Sequence, residues 1–229
     1  MVSNYLIFLI SYFLIVLSVI GHGALAIRFT RTNISIEEIG FVGLVGIFFL
    51  ILYSYITHFF ISHSYLHNLI FIFIGLLSIY YFKSKIFLKN NSFLLFSIFS
   101  VIFLAFVIFK THDDFGYYHF PYSYYINKFS MIIGTGPINH GFRTPSSIFY
   151  LNSLFYLPYL DYYLYHMGAA LVLGFANIII ISNIKKYSEK KENNQFFFLN
   201  LLAFIFINIF FYRLAEHGTD RSAQILIFL

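Results

Sequence analysis

The sequence predicts an all-α protein, a polytopic transmembrane helical bundle with interfacial helices in a long outer loop. Three observations carry that expectation. Only 10% of the 229 residues are charged and 60% are hydrophobic, whereas a water-soluble domain carries about 25% charged residues. The apolar residues fall in runs approaching the length a bilayer needs, roughly 17–25 residues. Basic residues collect in short connections between those runs, where orientation signals belong.

Six runs qualify as spans. The first covers about Tyr5–Ile27; no Lys or Arg precedes it, and it is too long for the apolar core of a signal peptide, so it reads as a retained helix. The second covers Ile39–Ile61. The third, His67–Phe82, is the shortest. The fourth and fifth cover Ser92–Phe109 and Tyr163–Ser182, and the sixth Gln195–Tyr212. A seventh run starts near Gln224 and reaches Leu229, which reads as a span cut short. Residues 1–91 form an N-terminal block of about three spans. Residues 92–229 form a core with spans four to six, and the whole is one membrane domain.

Arg28, Arg31, Lys83, Lys85, Lys89, Lys185, Lys186, Lys190 and Lys191 occupy alternate short connections. The positive-inside rule puts those connections inside and the N-terminus outside. Segments 110–162 and 213–223 then share the outer face. The first holds a dense run of tyrosines, and two interfacial helices are expected there. One covers Phe120–Ile133 and ends at Gly134, Gly136 and Pro137. The other covers Ser146–Leu157, between Pro145 and Pro158.

Composition excludes several classes. Without cysteine there is no disulfide and no thiolate metal site. The net charge of +5 is distributed as topology signals, so it does not indicate nucleic acid. Glycine-rich phosphate loops, nucleophile elbows and zinc-protease motifs are absent from the sequence.

The chemistry-bearing residues are few. Asp113 and Asp114 follow span four at once, in Lys110-Thr-His-Asp-Asp-Phe-Gly-Tyr-Tyr118-His119-Phe-Pro121. Adjacent carboxylates repel, so a cation, a metal or helix N–H groups must stabilise one of them. Such a carboxylate suits a general base or a ligand to a divalent cation such as Mg or Mn. The densest polar cluster is Arg213-Leu-Ala-Glu216-His217-Gly-Thr-Asp220-Arg221. Arg213 and Arg221 suit phosphate oxygens. Asp114, Glu216, His217 and Asp220 are the candidate metal ligands. His22, between two glycines, is expected to pack. His58, His63 and His67 are expected in a wetted interfacial loop. Asn177 and Asn208 are expected to hydrogen-bond between helices.

At the Asp113–Pro121 stretch the sequence resembles the GT-C superfamily, multi-pass glycosyltransferases that use lipid-phosphate-linked sugars. Many members carry an acidic residue just outside a transmembrane helix, and one branch follows it with Tyr-His-aliphatic-Pro. Tyr118-His119-Phe120-Pro121 is the match here, and the likeness extends over about Ser92–Leu229. The second loop departs from the family in lacking an Asp-x-Asp motif. The resemblance implies a protein of the cell (inner) membrane that moves sugar from a polyprenyl-phosphate donor to a glycan or lipid acceptor. Asp113 and Asp114 would be catalytic, with Tyr118, His119, Arg143, Arg213 and Arg221 binding substrate. Three other classes fit the composition: a transporter or lipid flippase, a metal-independent glycan polymerase, and a non-catalytic membrane subunit.

Overall fold

The computed structural model describes residues 2–31, 35, 38–86, 89–107, 113–143, 146–189, 194–211 and 220–229. Those residues are helical or irregular, and no strand occurs among them. The long helices are α1 (Val2–Thr30), α2 (Ile39–His58), α3 (Tyr65–Ile86), α4 (Lys89–Val107), α7 (Met167–Ser188) and α8 (Asn194–Phe211). Two short helices, α5 (Phe120–Lys128) and α6 (Ser147–Ser153), lie in the long connection, and α9 (Asp220–Leu226) follows α8.

Among the described residues, four helices are long and apolar enough to cross a membrane: α1, α2, α3 and α7. They fit a membrane protein. The apolar parts of α4 and α8 are shorter over their described residues, Ser92–Val107 and Gln195–Phe210. The third run, expected to be the shortest, is a 22-residue helix. α7 begins four residues later than expected because residues 157–166 are spent in successive turns. Asp161 N–H bonds to Leu157 O, Tyr163 N–H to Leu160 O, and Met167 N–H to Leu164 O.

α1 packs between α2 and α3 with backbones nearly touching. A Cβ on Gly23 would lie 1.9 Å from Val42 O, and one on Gly21 would lie 1.9 Å from Gly75 O. Only glycine allows that approach, which gains dispersion contacts where water gives no hydrophobic drive. His22 sits between these glycines and stacks on Phe71, with ring centroids 4.1 Å apart, so it packs as expected. The second centre is α7, which touches α2, α4, α6, α8 and α9. Asn177 and Asn208 exchange amide hydrogen bonds at 3.2 and 2.7 Å, joining α7 to α8 as expected.

Tyr12 Oη bonds to Phe99 O at 3.1 Å, and Phe8 stacks on Phe106 at 5.7 Å. The start of α1 therefore lies beside the end of α4. That end of the bundle also carries the long connection, which is folded as a cap. Its buried side includes Tyr122, Ile126, Phe149, Tyr150 and Leu151.

Both expected interfacial helices are shorter than the sequence suggested. α5 stops at Lys128 rather than Ile133, because Phe129 is extended and the next residues pair with the end of α2. Met131 N–H donates to His58 O at 2.8 Å, and His58 Nε2 meets Phe129 O at 3.1 Å. α6 ends at Ser153 rather than Leu157, where side-chain amides take the carbonyls of Ser153 and Tyr156.

Candidate functional site

Two polar groupings occupy the cap. The first is the acidic stretch singled out in the sequence. Asp113 is exposed, Asp114 is half-buried, and Phe115–His119 forms one turn of π-helix before α5. π-Turns are rare and recur at functional sites. Pro121 explains this one locally. It has no N–H to give Tyr117 O, the acceptor four residues back. Asn139 Nδ2 fills that place at 2.8 Å, while Phe120 N–H reaches back to Phe115 O.

The π-turn fixes Tyr118 and His119. Tyr118 Oη points to Asp114 Oδ2 at 3.4 Å. Its ring meets His119 edge-on at 4.4 Å. A 3-10 turn, His140–Arg143, closes over it so tightly that a Cβ on Gly141 would lie 2.3 Å from the Tyr118 ring. Arg143 is exposed on that turn, with Nε 3.4 Å from Gly136 O. His119 is buried against Phe149, 5.0 Å between rings. His166, at the start of α7, lies 4.7 Å from Phe115. Burial, with the nearby His119, holds His166 down to about 4, so it is uncharged at neutral pH.

The structure thus brings Asp114, Tyr118 and His119 together, with Asp113 adjacent and Arg143 on the turn that packs against them. Arg213, Glu216 and His217 lie outside the described residues. Asp220 opens α9, and Arg221 is exposed on that helix, which packs against α7. Among the described residues, no group of three His, Asp or Glu stands together to hold a metal.

The second grouping was not recognised from sequence. It joins the α2–α3 turn to α5 and α6. Asn127 Nδ2 donates to His63 O and Ser153 O, both at 2.7 Å. Asn68 Nδ2 donates to the same two carbonyls at 3.2 and 2.8 Å, and to Tyr156 O at 3.0 Å. Two carbonyls with two lone pairs each therefore serve two amides. Asn127 Oδ1 accepts from Tyr165 Oη.

His58, His63 and His67 belong to this grouping, not to a wetted loop; His58 and His63 are fully buried. Ser153 Oγ donates to Tyr150 O at 2.7 Å, so it accepts from His63 Nδ1–H, also at 2.7 Å. His63 Nε2 meets Thr57 Oγ1 at 3.0 Å, and that hydroxyl also reaches Tyr53 O at 2.9 Å. Each ring nitrogen thus has a hydroxyl partner. Burial, and then the neighbouring His67 and His58, push His63 down to about 2.

A chain of polar contacts leads outward from it. Lys128 Nζ donates to Tyr156 Oη at 2.9 Å and lies 4.9 Å from the Tyr124 ring centroid. Tyr156 and Tyr65 hydroxyls are 2.8 Å apart, and Tyr65 Oη donates to Asp161 Oδ1. The bond to Tyr156 raises Lys128 above its ordinary value. Asp161 holds a left-handed φ of 45°. The sequence signal for this grouping was available: Asn68 and Asn127 interrupt apolar stretches, and Asp161 is a single acid among tyrosines.

Neither a curated protein nor a solved structure matches the chain. A family described as a domain of unknown function, DUF8201, matches residues 5–229, and the chain belongs to that family.

Proposed function

We propose that the chain is the membrane core of a glycosyltransferase that takes its sugar from a polyprenyl-phosphate donor at the capped end of the bundle. The observation that supports this reading best is the π-turn, which presents an exposed Asp113 beside a half-buried Asp114 in contact with Tyr118. The likeness of Asp113–Pro121 to the GT-C pattern agrees with it.

Asp113 is the general base. It takes the proton from an acceptor hydroxyl as that oxygen bonds to the anomeric carbon, while the bond to the donor phosphate breaks and polyprenyl phosphate leaves. Asp114 is a positioning carboxylate; it would contribute one ligand to a divalent cation, which would supply charge neutralisation at the leaving phosphate. Arg143 and Arg221 bind that phosphate through their planar forks.

The test uses the full chain in vesicles with radiolabelled polyprenyl-phosphate hexoses and a washed membrane acceptor fraction. Asp113→Asn is expected to lower transfer by about 10²–10⁴, the range of general-base catalysis, with melting unchanged. Undiminished transfer overturns the role of Asp113. Movement of the labelled lipid across the vesicle without bond cleavage replaces the transferase reading with the transporter one.

A further inference from the structure

The α2–α3 turn bounds an open cleft of about 520 Å³, on the face of the cap that carries Ser130. This volume lies in the range of about 300–1,000 Å³ seen for small-molecule sites. Tyr53, Phe60, Ile61, Leu66 and Ile70 form its apolar walls, and Ser62, Ser64, Ser130 and His67 its polar part. Among the described residues the lining contains no Lys, Arg, Asp or Glu.

The occupant follows from where the cleft opens. α2 and α3 are candidate spans, ending at His58 and starting at Tyr65. Tyr53 and Ile70 lie five residues inside those ends, which is about 7.5 Å of helix rise. The cleft therefore runs from headgroup level into the upper hydrocarbon. Its rim is apolar and exposed: Phe60 is 78% and Leu66 69% accessible. That rim continues the exposed rows Leu52 and Ile56 on α2 and Leu69, Phe73 and Leu77 on α3. The medium facing those rows across a bilayer is lipid, so lipid also meets the mouth of the cleft.

The polar part selects the head. His67 is already satisfied. Asn68 Oδ1 can only accept from Nδ1–H, at 2.9 Å, because its Nδ2 faces three carbonyls. Nε2 then accepts from Tyr53 Oη at 2.9 Å. The imidazole is neutral, and the three serine hydroxyls supply the remaining polarity. A phosphate or ammonium head entering this lining would leave water without a counter-charge, whereas an uncharged hydroxyl-bearing head can exchange hydrogen bonds with the serines at no such cost.

We propose that this cleft binds one membrane lipid with an uncharged, hydroxyl-bearing head, of the diacylglycerol or glycosyl-diacylglycerol class. Its chain lies along Leu66 and Ile70, and its head hydrogen-bonds Ser62, Ser64 and Ser130. The site is separate from Asp113–Asp114 and does not depend on a transferase activity.

The test puts the full chain in vesicles containing a diacylglycerol with a diazirine in one acyl chain, or a phosphatidylcholine with the same chain. Irradiation and peptide mapping read the label within residues 53–70. The diacylglycerol probe is expected to label about tenfold more, the value of one or two net hydrogen bonds. Ser62→Ala, Ser64→Ala and Ser130→Ala together should remove that preference. Leu66→Trp, a change at an exposed position, should fill the cleft and lower labelling by the diacylglycerol probe. Melting of each variant in detergent reports whether it folds. Equal labelling by the two probes in the unmodified chain would mean ordinary surrounding lipid only and overturns the proposal, as does a preference for phosphatidylcholine.

Discussion

The two ends of α5 face opposite demands. At its start, Asp113 is exposed and Asp114 half-buried, and the turn that follows is held by a hydrogen bond borrowed from Asn139. At its end, Asn127 is buried and every polar atom of its amide has a partner. One helix thus joins a site with exposed charge to one from which water is excluded. The difference separates two jobs: the buried end fixes the cap to α2 and α3, and the exposed end is left available for chemistry. Stability should therefore depend on the buried end, and activity on the exposed one.

The sharpest way to break that contrast is Asn127→Leu. It takes one of two donors from each of two buried carbonyls, which keep Asn68, and strands the Tyr165 hydroxyl. A buried group left unsatisfied costs about 1–3 kcal/mol, so a loss of that size is expected in thermal or denaturant unfolding. An effect below about 1 kcal/mol would mean that the amide square does not hold the cap.

Acidification is the second test. His63 is held at about 2 in the fold, against an ordinary 6.5. The unfolded chain therefore binds the extra proton between those values. Stability from this residue is complete above about 6.5 and falls as the pH drops below it. The slope approaches about 1.4 kcal/mol per pH unit, or about 2 kcal/mol between pH 7 and pH 5. Unfolding of the unmodified chain and of His63→Asn across that interval should differ by this amount, the variant being less pH-sensitive.

The smallest expected effect on stability is at the exposed end. Asn139→Ala leaves Tyr117 O to water, at a cost of about 1 kcal/mol or less. It also frees the π-turn that carries Tyr118 and His119. Melting should hardly change, while any activity that depends on Asp114 and Tyr118 falls. A melting loss as large as that of Asn127→Leu would erase the distinction between the two ends.

Much of the bundle was legible from hydropathy, because span length and charge spacing depend on neighbouring residues. The Asn177–Asn208 pair was legible for a related reason: an amide inside an apolar run needs a partner in another helix. The Asp113–His119 stretch stood out by its charge, though its π-turn did not. That turn needs Asn139, 22 residues away from Tyr117. The buried square was hidden more deeply. Asn68 meets Ser153 across 85 positions, and His63 meets it across 90. A periodic reading cannot pair residues so far apart, so the three histidines were assigned to a loop in contact with water. The expected lengths of the two cap helices failed for the same reason, since distant groups take the carbonyls at their ends: His63 N–H and the His58 ring at α5, and the Asn68 and Asn127 amides at α6.

The reciprocal amides of α7 and α8 bear on how the chain enters a bilayer. Taken singly, each helix would carry into hydrocarbon an Asn whose amide meets only a carbonyl four residues back in its own helix, leaving Oδ1 without a donor, and α8 has the shorter apolar stretch with which to offset it. Delivered together as a hairpin, each amide meets its counterpart and the polar load of both is met within the pair. α8 is thus a dependent segment, and its integration follows from having α7 already at its side.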